Sequence, residues 1–183
     1  MLVSKLMDLP DPFTYGSKNP GATNVLRTGN KLAAVLTLFG DAAKGWLALI
    51  IARLVLAAPG SETNNMIFGL VGIAVFLGHL YPIFYGFKGG KGVATAAGIL
   101  FAISWVLGFA TLGTWLIVVL VLRYSSLAAL CAAVFSPLYF TLLFGVQPMC
   151  FTILIMSLLI IYRHRSNIRN LLNGTEPRLA KRW

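Results

Sequence analysis

Apolar residues gather in five long runs, at about 31–57, 66–86, 93–122, 126–144 and 149–162. A helix needs roughly 20 apolar residues to cross a bilayer, and fewer where flanking side chains snorkel. Four runs fit one crossing each. The run 93–122 is longer. It fits one long tilted helix, or two short ones with a bend near Ser104 to Gly108.

Charge placement decides between these. Lys5, Lys18, Arg27 and Lys31 precede the first run, and Lys88 and Lys91 follow the second. Arg123 follows the third. Arg163, Arg165, Arg169, Arg178, Lys181 and Arg182 follow the last. The connections near 58–65 and 145–148 carry no basic residue. Basic loops stay in the cytoplasm, so all four basic segments share one side only if 93–122 crosses twice. The expected fold is therefore all-α: a polytopic integral membrane protein of one domain over 1–183, with about six transmembrane helices and both termini inside. Lys44 and Arg53 lie within the first run. Asp41 is three residues before Lys44 and shares its helical face. That spacing suggests a structural ion pair, while Arg53 can snorkel to the far interface.

Composition agrees. The 183 residues are 58% hydrophobic and only 11% charged, with a mean hydropathy of +0.82. Soluble domains carry about a quarter charged residues. The net charge of +10 would suggest nucleic acid on a soluble protein. Here it matches cytoplasmic loops beside anionic head groups, and no aromatic-interleaved basic groove supports a nucleic-acid partner. Cys131 and Cys150 sit inside apolar runs without metal spacing. No metal or organic cofactor is called for. The start, M-L-V-S-K-L-M-D-L-P, lacks the length and cleavage site of a signal peptide.

Three polar clusters interrupt this pattern. The first is G-S-K-N-P-G-A-T-N-V-L-R, Gly16 to Arg27. Ser17, Asn19 and Asn24 can orient backbone or ligand, and Arg27 offers a fork suited to phosphate. A helix cap followed by a positive-inside arginine explains the same residues equally well. The second is G-H-L-Y-P-I-F-Y-G-F-K-G-G-K-G-V-A-T, Gly78 to Thr95. It departs from the Walker pattern, because only three residues separate Gly86 from Gly90-Lys91 and Gly92 follows. An anion seat at a helix start still fits: Gly89, Gly90 and Gly92 can present N–H groups, and Lys91 adds charge. His79 reads as a structural hydrogen-bonder. The third runs from Arg163 to Leu179 and contains His164, Asn167 and Glu176. His164 and Asn167 are three apart, on one helical face. By composition alone it is also a basic tail on anionic lipid. Tyr124-Ser125-Ser126 forms a smaller polar spot. All four fall on the expected cytoplasmic side, which favours one surface site for a water-soluble phosphate compound that meets a lipid-borne one.

Together the clusters resemble those of the bacterial acyl-phosphate:glycerol-3-phosphate acyltransferases, from about Leu2 to Arg178. The resemblance implies an all-helical fold of seven spans in the bacterial plasma (inner) membrane, with the active site on the cytoplasmic face. It implies acyl transfer from acyl phosphate to the 1-hydroxyl of glycerol 3-phosphate, giving lysophosphatidic acid. It also implies a functional pairing with a peripheral acyl-phosphate synthase. By motif position, Ser17, Arg27, Lys91, His164 and Asn167 carry catalysis. Asn19, Asn24, Gly89, Gly90, Gly92, Ser125 and Ser126 bind substrate, and Glu176 is structural. The family usually has a first span ending in a stretch like L-V-S-K-L-M-D-L-P. This chain begins inside that stretch, which implies a span upstream or a truncated form. Lys18 stands where the family usually has Gly or a small residue; the extra charge either helps the anion site or crowds it.

An acyl phosphate is already activated, so no covalent intermediate is required. Neither His79 nor His164 is followed five residues later by an acid; Phe84 and Arg169 stand there. Direct attack by the hydroxyl on the acyl carbonyl is expected, with His164 or a substrate phosphate oxygen as base. The alternative reading is a membrane transporter for an organic phosphate. Transporters, however, bind near the midplane between repeated halves, whereas these clusters lie at one face.

Overall fold

The computed structural model describes residues 1–56 and 62–179. Lys181, Arg182 and part of the connection near 58–65 lie outside them. Among the described residues all regular structure is helical. The helices are α1 (Leu2–Leu6), α2 (Ala22–Val25), α3 (Lys31–Leu56), α4 (Glu62–Leu80), α5 (Val93–Ile103), α6 (Trp105–Leu122), α7 (Ser125–Phe144), α8 (Pro148–Arg163) and α9 (Arg165–Leu172). Single 3-10 turns occupy Leu26–Thr28 and Ile83–Tyr85.

Local chemistry sets the boundaries. Asn30 Oδ1 accepts the Ala33 N–H at 2.9 Å and so caps α3. Ser104 is extended, at φ −160° and ψ 132°, and separates α5 from α6. The long run thus breaks at the start of the interval the sequence singled out. Arg123 ends α6 in the left-handed region at φ 63°. Pro148 opens α8 at its first turn, where no N–H partner is lost.

Four stretches are long and apolar enough to span a bilayer: α3, residues 65–85, α6 and α7; α8 with α9 makes a fifth, bent by 58°. The expected count of six crossings is not reached on length. At about 1.5 Å per residue, the 11 residues of α5 cover roughly half of a hydrocarbon core of about 30 Å. The first half of α3, the end of α4, the first part of α5, the middle of α6, the first part of α7 and the end of α8 meet around one cavity.

Small residues let the backbones touch. A Cβ on Gly98 of α5 would overlap the Ala42 carbonyl of α3, and one on Gly45 would meet the Thr95 carbonyl. Backbone-to-backbone contact of this kind is how membrane helices pack without a hydrophobic driving force between them. Leu49, Phe76, Ile99, Leu107 and Ile153 fill the interior between α3, α4, α5, α6 and α8. Outward positions such as Phe39, Leu54, Val121 and Leu142 are apolar and exposed, a surface suited to lipid.

Candidate active site

The cavity of about 260 Å³ has a polar mouth and an apolar inner arm. Ser17, Asn19, Asn24, Arg27, Lys91, Gly92, Ser125, Ser126, His164, Asn167 and Glu176 all line it. The structure thus brings together eleven of the thirteen residues singled out in the sequence. Gly89 lines a neighbouring pocket instead, and Gly90 packs behind the loop.

The loop 12–24 is built around one amide. Asn24 is 1% exposed. Its Oδ1 accepts the Ser17 N–H at 2.9 Å, and its Nδ2 donates to the carbonyls of Pro12 (2.9 Å) and Tyr15 (3.3 Å). Asn24 therefore fixes where Ser17 sits, with its hydrogen-bonding groups engaged by the loop. Thr23 Oγ1 lies 3.3 Å from Ser125 Oγ and ties this loop to the start of α7.

The glycine loop is held from behind. Gly90 N–H donates to the His79 carbonyl at 3.2 Å. The Arg163 guanidinium donates to the carbonyls of Gly89 (2.8 Å) and Gly90 (3.2 Å) and lies over the Tyr81 ring. A Cβ on Gly89 would strike the His79 and Leu80 carbonyls, and one on Gly90 the His79 ring. These two glycines are there for close packing, and the Gly90 N–H is already paired. Only Gly92, at φ +88° and capping α5, sits in the cavity wall.

Lys91 projects forward. Its Nζ donates to Asn167 Oδ1 at 2.5 Å. Asn167 Nδ2 donates to Glu176 Oε1 at 2.7 Å, and Ser126 Oγ donates to the same oxygen at 2.6 Å. One chain of contacts thus joins the glycine loop before α5, α9, the C-terminal tail and α7. Burial lowers the Lys91 pKa; Glu176 works against this, and Arg163 and Arg27 add to it. The site is a desolvated cation seat facing further cations, which favours a dianionic ligand.

His164 marks the bend between α8 and α9 and is 3% exposed. Its Nδ1 lies 2.8 Å from the Ile160 carbonyl. A carbonyl only accepts, so Nδ1 carries the proton and Nε2 keeps its lone pair. Burial pushes its pKa down to about 4, and at neutral pH the ring is uncharged.

Sequence reading left three features unseen. Asp41 and His79 line the cavity, and Lys44 Nζ lies 2.6 Å from both Asp41 Oδ1 and His79 Nδ1. The expected pair is thus a three-residue cluster. Arg163 pins the glycine loop across 73 residues of chain. Arg123 and Leu179 bond to each other in both directions, backbone and side chain, and strap the tail over the α6–α7 junction. Each joins positions far apart in sequence, so no local spacing announces it.

Comparison with known proteins accords with this arrangement. Residues 1–174 match the family described as Glycerol-3-phosphate acyltransferase. A protein of that name from Ralstonia nicotianae is 60% identical over 182 residues, covering 100% of this chain and 87% of the relative. One from Cupriavidus pinatubonensis is 56% identical over 182 residues, covering 100% and 89%. Among solved structures, PlsY (YgiH), an integral membrane glycerol 3-phosphate acyltransferase, superposes in its glycerol 3-phosphate form with a TM-score of 0.90 at 38% identity, over 98% of this chain and 86% of that one. Its lysophosphatidic acid form gives 0.87. On motifs, fold and coverage, this all-helical integral membrane chain belongs to the glycerol-3-phosphate acyltransferase family of enzymes.

Proposed function

We propose that this chain transfers an acyl group from acyl phosphate to the 1-hydroxyl of glycerol 3-phosphate, giving lysophosphatidic acid and inorganic phosphate. The observation that carries the reading is the Lys91–Asn167–Glu176–Ser126 chain at the mouth of a cavity with an apolar inner arm. A water-soluble phosphate suits the mouth. An acyl chain suits the arm, walled by Leu100 of α5, Leu112 and Trp115 of α6, and Ala133 of α7.

In this mechanism the glycerol hydroxyl oxygen attacks the acyl carbonyl carbon. The bond from that carbon to the phosphate oxygen breaks, and phosphate leaves with its electron pair. Lys91 and Arg27 hold the phosphates and offset developing charge. Ser17 and Asn167 orient them. The hydroxyl proton passes to a phosphate oxygen. His164, with a pKa near 4, is a weak base at neutral pH; its Nε2 lone pair accepts and aims the hydroxyl. The basic residues gathered at the mouth support an opening on the cytoplasmic side, in this reading of a bacterial inner membrane, where a peripheral acyl-phosphate synthase supplies the donor.

The test uses this chain in proteoliposomes with palmitoyl phosphate and radiolabelled glycerol 3-phosphate. Label in lysophosphatidic acid is expected. Label trapped inside vesicles without lipid product would instead support transport and overturn the reading. Substituting palmitoyl-CoA for palmitoyl phosphate should abolish product; equal rates with both would overturn the donor assignment.

A further inference from the structure

A second pocket of about 340 Å³ opens beside the first and shares Ser17, Asn19 and Lys91 with it. Its other walls include Lys18, Lys88, Arg163 and Arg165, and none of its described lining residues is acidic. Three of the five cations already have partners: Arg163 with the Gly89 and Gly90 carbonyls, Lys91 with Asn167, and Arg165 with the carbonyl and ring face of Tyr162. Lys18, Lys88 and Arg165 are exposed, and among the described residues none of them is paired with a carboxylate.

Lys18 adds a second observation. It holds a left-handed backbone conformation at φ +50°, one that glycine adopts without the steric cost a lysine incurs. A long cation at such a position calls for a use. It stands at the rim shared with Ser17 and Asn19.

We propose that Lys18, Lys88 and Arg165 form an electrostatic vestibule that captures phosphate-monoester dianions from water and passes them to Lys91. The inference rests on the acyl-transfer reading for its substrate, glycerol 3-phosphate. A concave patch of one sign raises the local concentration and on-rate of an oppositely charged ligand, and salt removes the effect. The three side chains act before chemistry, so they bear on capture and not on the acyl-transfer step. The same cations could instead hold the phosphates of anionic lipid, and the test separates the two sources.

The experiment compares the natural chain with the triple variant Lys18→Gln, Lys88→Gln, Arg165→Gln. Rates are measured from low to high salt in vesicles of phosphatidylcholine alone, and in vesicles that also contain phosphatidylglycerol. Glycerol 3-phosphate binding is measured by calorimetry on the same preparations. For the variant we expect binding and kcat/KM about tenfold weaker at low salt, and kcat within about twofold. The gap should close at high salt, in both vesicle types. Unchanged binding and an unchanged salt slope would overturn the proposal. So would a loss confined to phosphatidylglycerol vesicles, which would assign the cations to lipid head groups. If neither chain makes lysophosphatidic acid, the acyl-transfer reading fails, and the calorimetry still decides whether the vestibule binds the phosphate ester.

Discussion

Lys91 Nζ lies 2.5 Å from Asn167 Oδ1, although 76 residues separate them. The amide passes the contact to Glu176 Oε1 at 2.7 Å. The ammonium thus has an acceptor but touches no carboxylate, and burial disfavours its charge. A phosphate dianion would supply the missing counter-charge. Asn167→Asp should therefore act through charge, not shape. It places a carboxylate on Lys91, raises the lysine pKa and repels phosphate. We expect KM for glycerol 3-phosphate to rise by about tenfold or more, while Asn167→Ala lowers kcat by about 10²-fold. Steady-state kinetics of the two variants checks this, and identical profiles would argue against the charge effect.

His164 gives a prediction about pH. Its native pKa is about 4, against an ordinary value near 6.5, because burial disfavours the imidazolium. Between those values the unfolded chain binds more protons than the native one. Its contribution to stability is thus complete above about pH 6.5, falls as pH drops towards 4, and is level below that. The full loss is about 3 kcal/mol by linkage. Thermal unfolding in detergent should show this fall between pH 7 and 5, and His164→Gln should flatten it. The same variant should keep the activity profile of the natural chain above pH 6. If the natural chain loses rate as pH falls and the variant does not, that acid-side limb would make His164 the base.

Glu176 Oε1 takes two donors, from Ser126 and Asn167, and both of those residues are buried. Removing the acceptor leaves two buried donors without a partner, at about 1–3 kcal/mol each. Glu176→Ala should lower the melting temperature and loosen Asn167, with activity falling as a consequence. Glu176→Gln keeps a carbonyl oxygen for both donors and should restore most of the stability. If Glu176→Gln unfolds as readily as Glu176→Ala, the charge and not the geometry holds the tail.

Much of this was legible in sequence because the bilayer imposes simple rules. Apolar runs located the helices, and basic residues sorted their ends. The extended Ser104 that divides 93–122 falls where the charge pattern called for a break. The short α5 was not legible: its 11 residues are continuous with α6 in hydropathy, and a break of a single residue leaves little mark. Asn24 shows the limit at the site. Its residue type suits ligand or loop equally, and only the Pro12, Tyr15 and Ser17 backbone positions reveal the loop role. Gly89 and Gly90 looked like N–H donors to an anion. The structure adds close packing that the sequence did not announce: Gly89 against the His79 and Leu80 carbonyls, and Gly90 against the His79 ring.

The contact between α3 and α5 yields the sharpest test of packing. Gly98 faces the Ala42 carbonyl so closely that a methyl group cannot fit without moving backbone. Gly40 lies on α3 too, yet nothing stands within 4 Å of where its Cβ would be. The two glycines therefore predict opposite outcomes for one substitution. Gly98→Ala must push α5 from α3, and overpacking of this kind costs about 1–3 kcal/mol. Because Lys91 leads into α5, the shift also reaches the site, and kcat should fall with stability. Gly40→Ala gains helix propensity of up to about 1 kcal/mol and disturbs no neighbour, so its melting temperature should hold or rise with activity unchanged. Thermal unfolding and turnover of the two variants, measured side by side, decide the matter. A Gly98→Ala chain as stable as the Gly40→Ala chain would mean that the α3–α5 backbone contact does not set the position of the lysine loop.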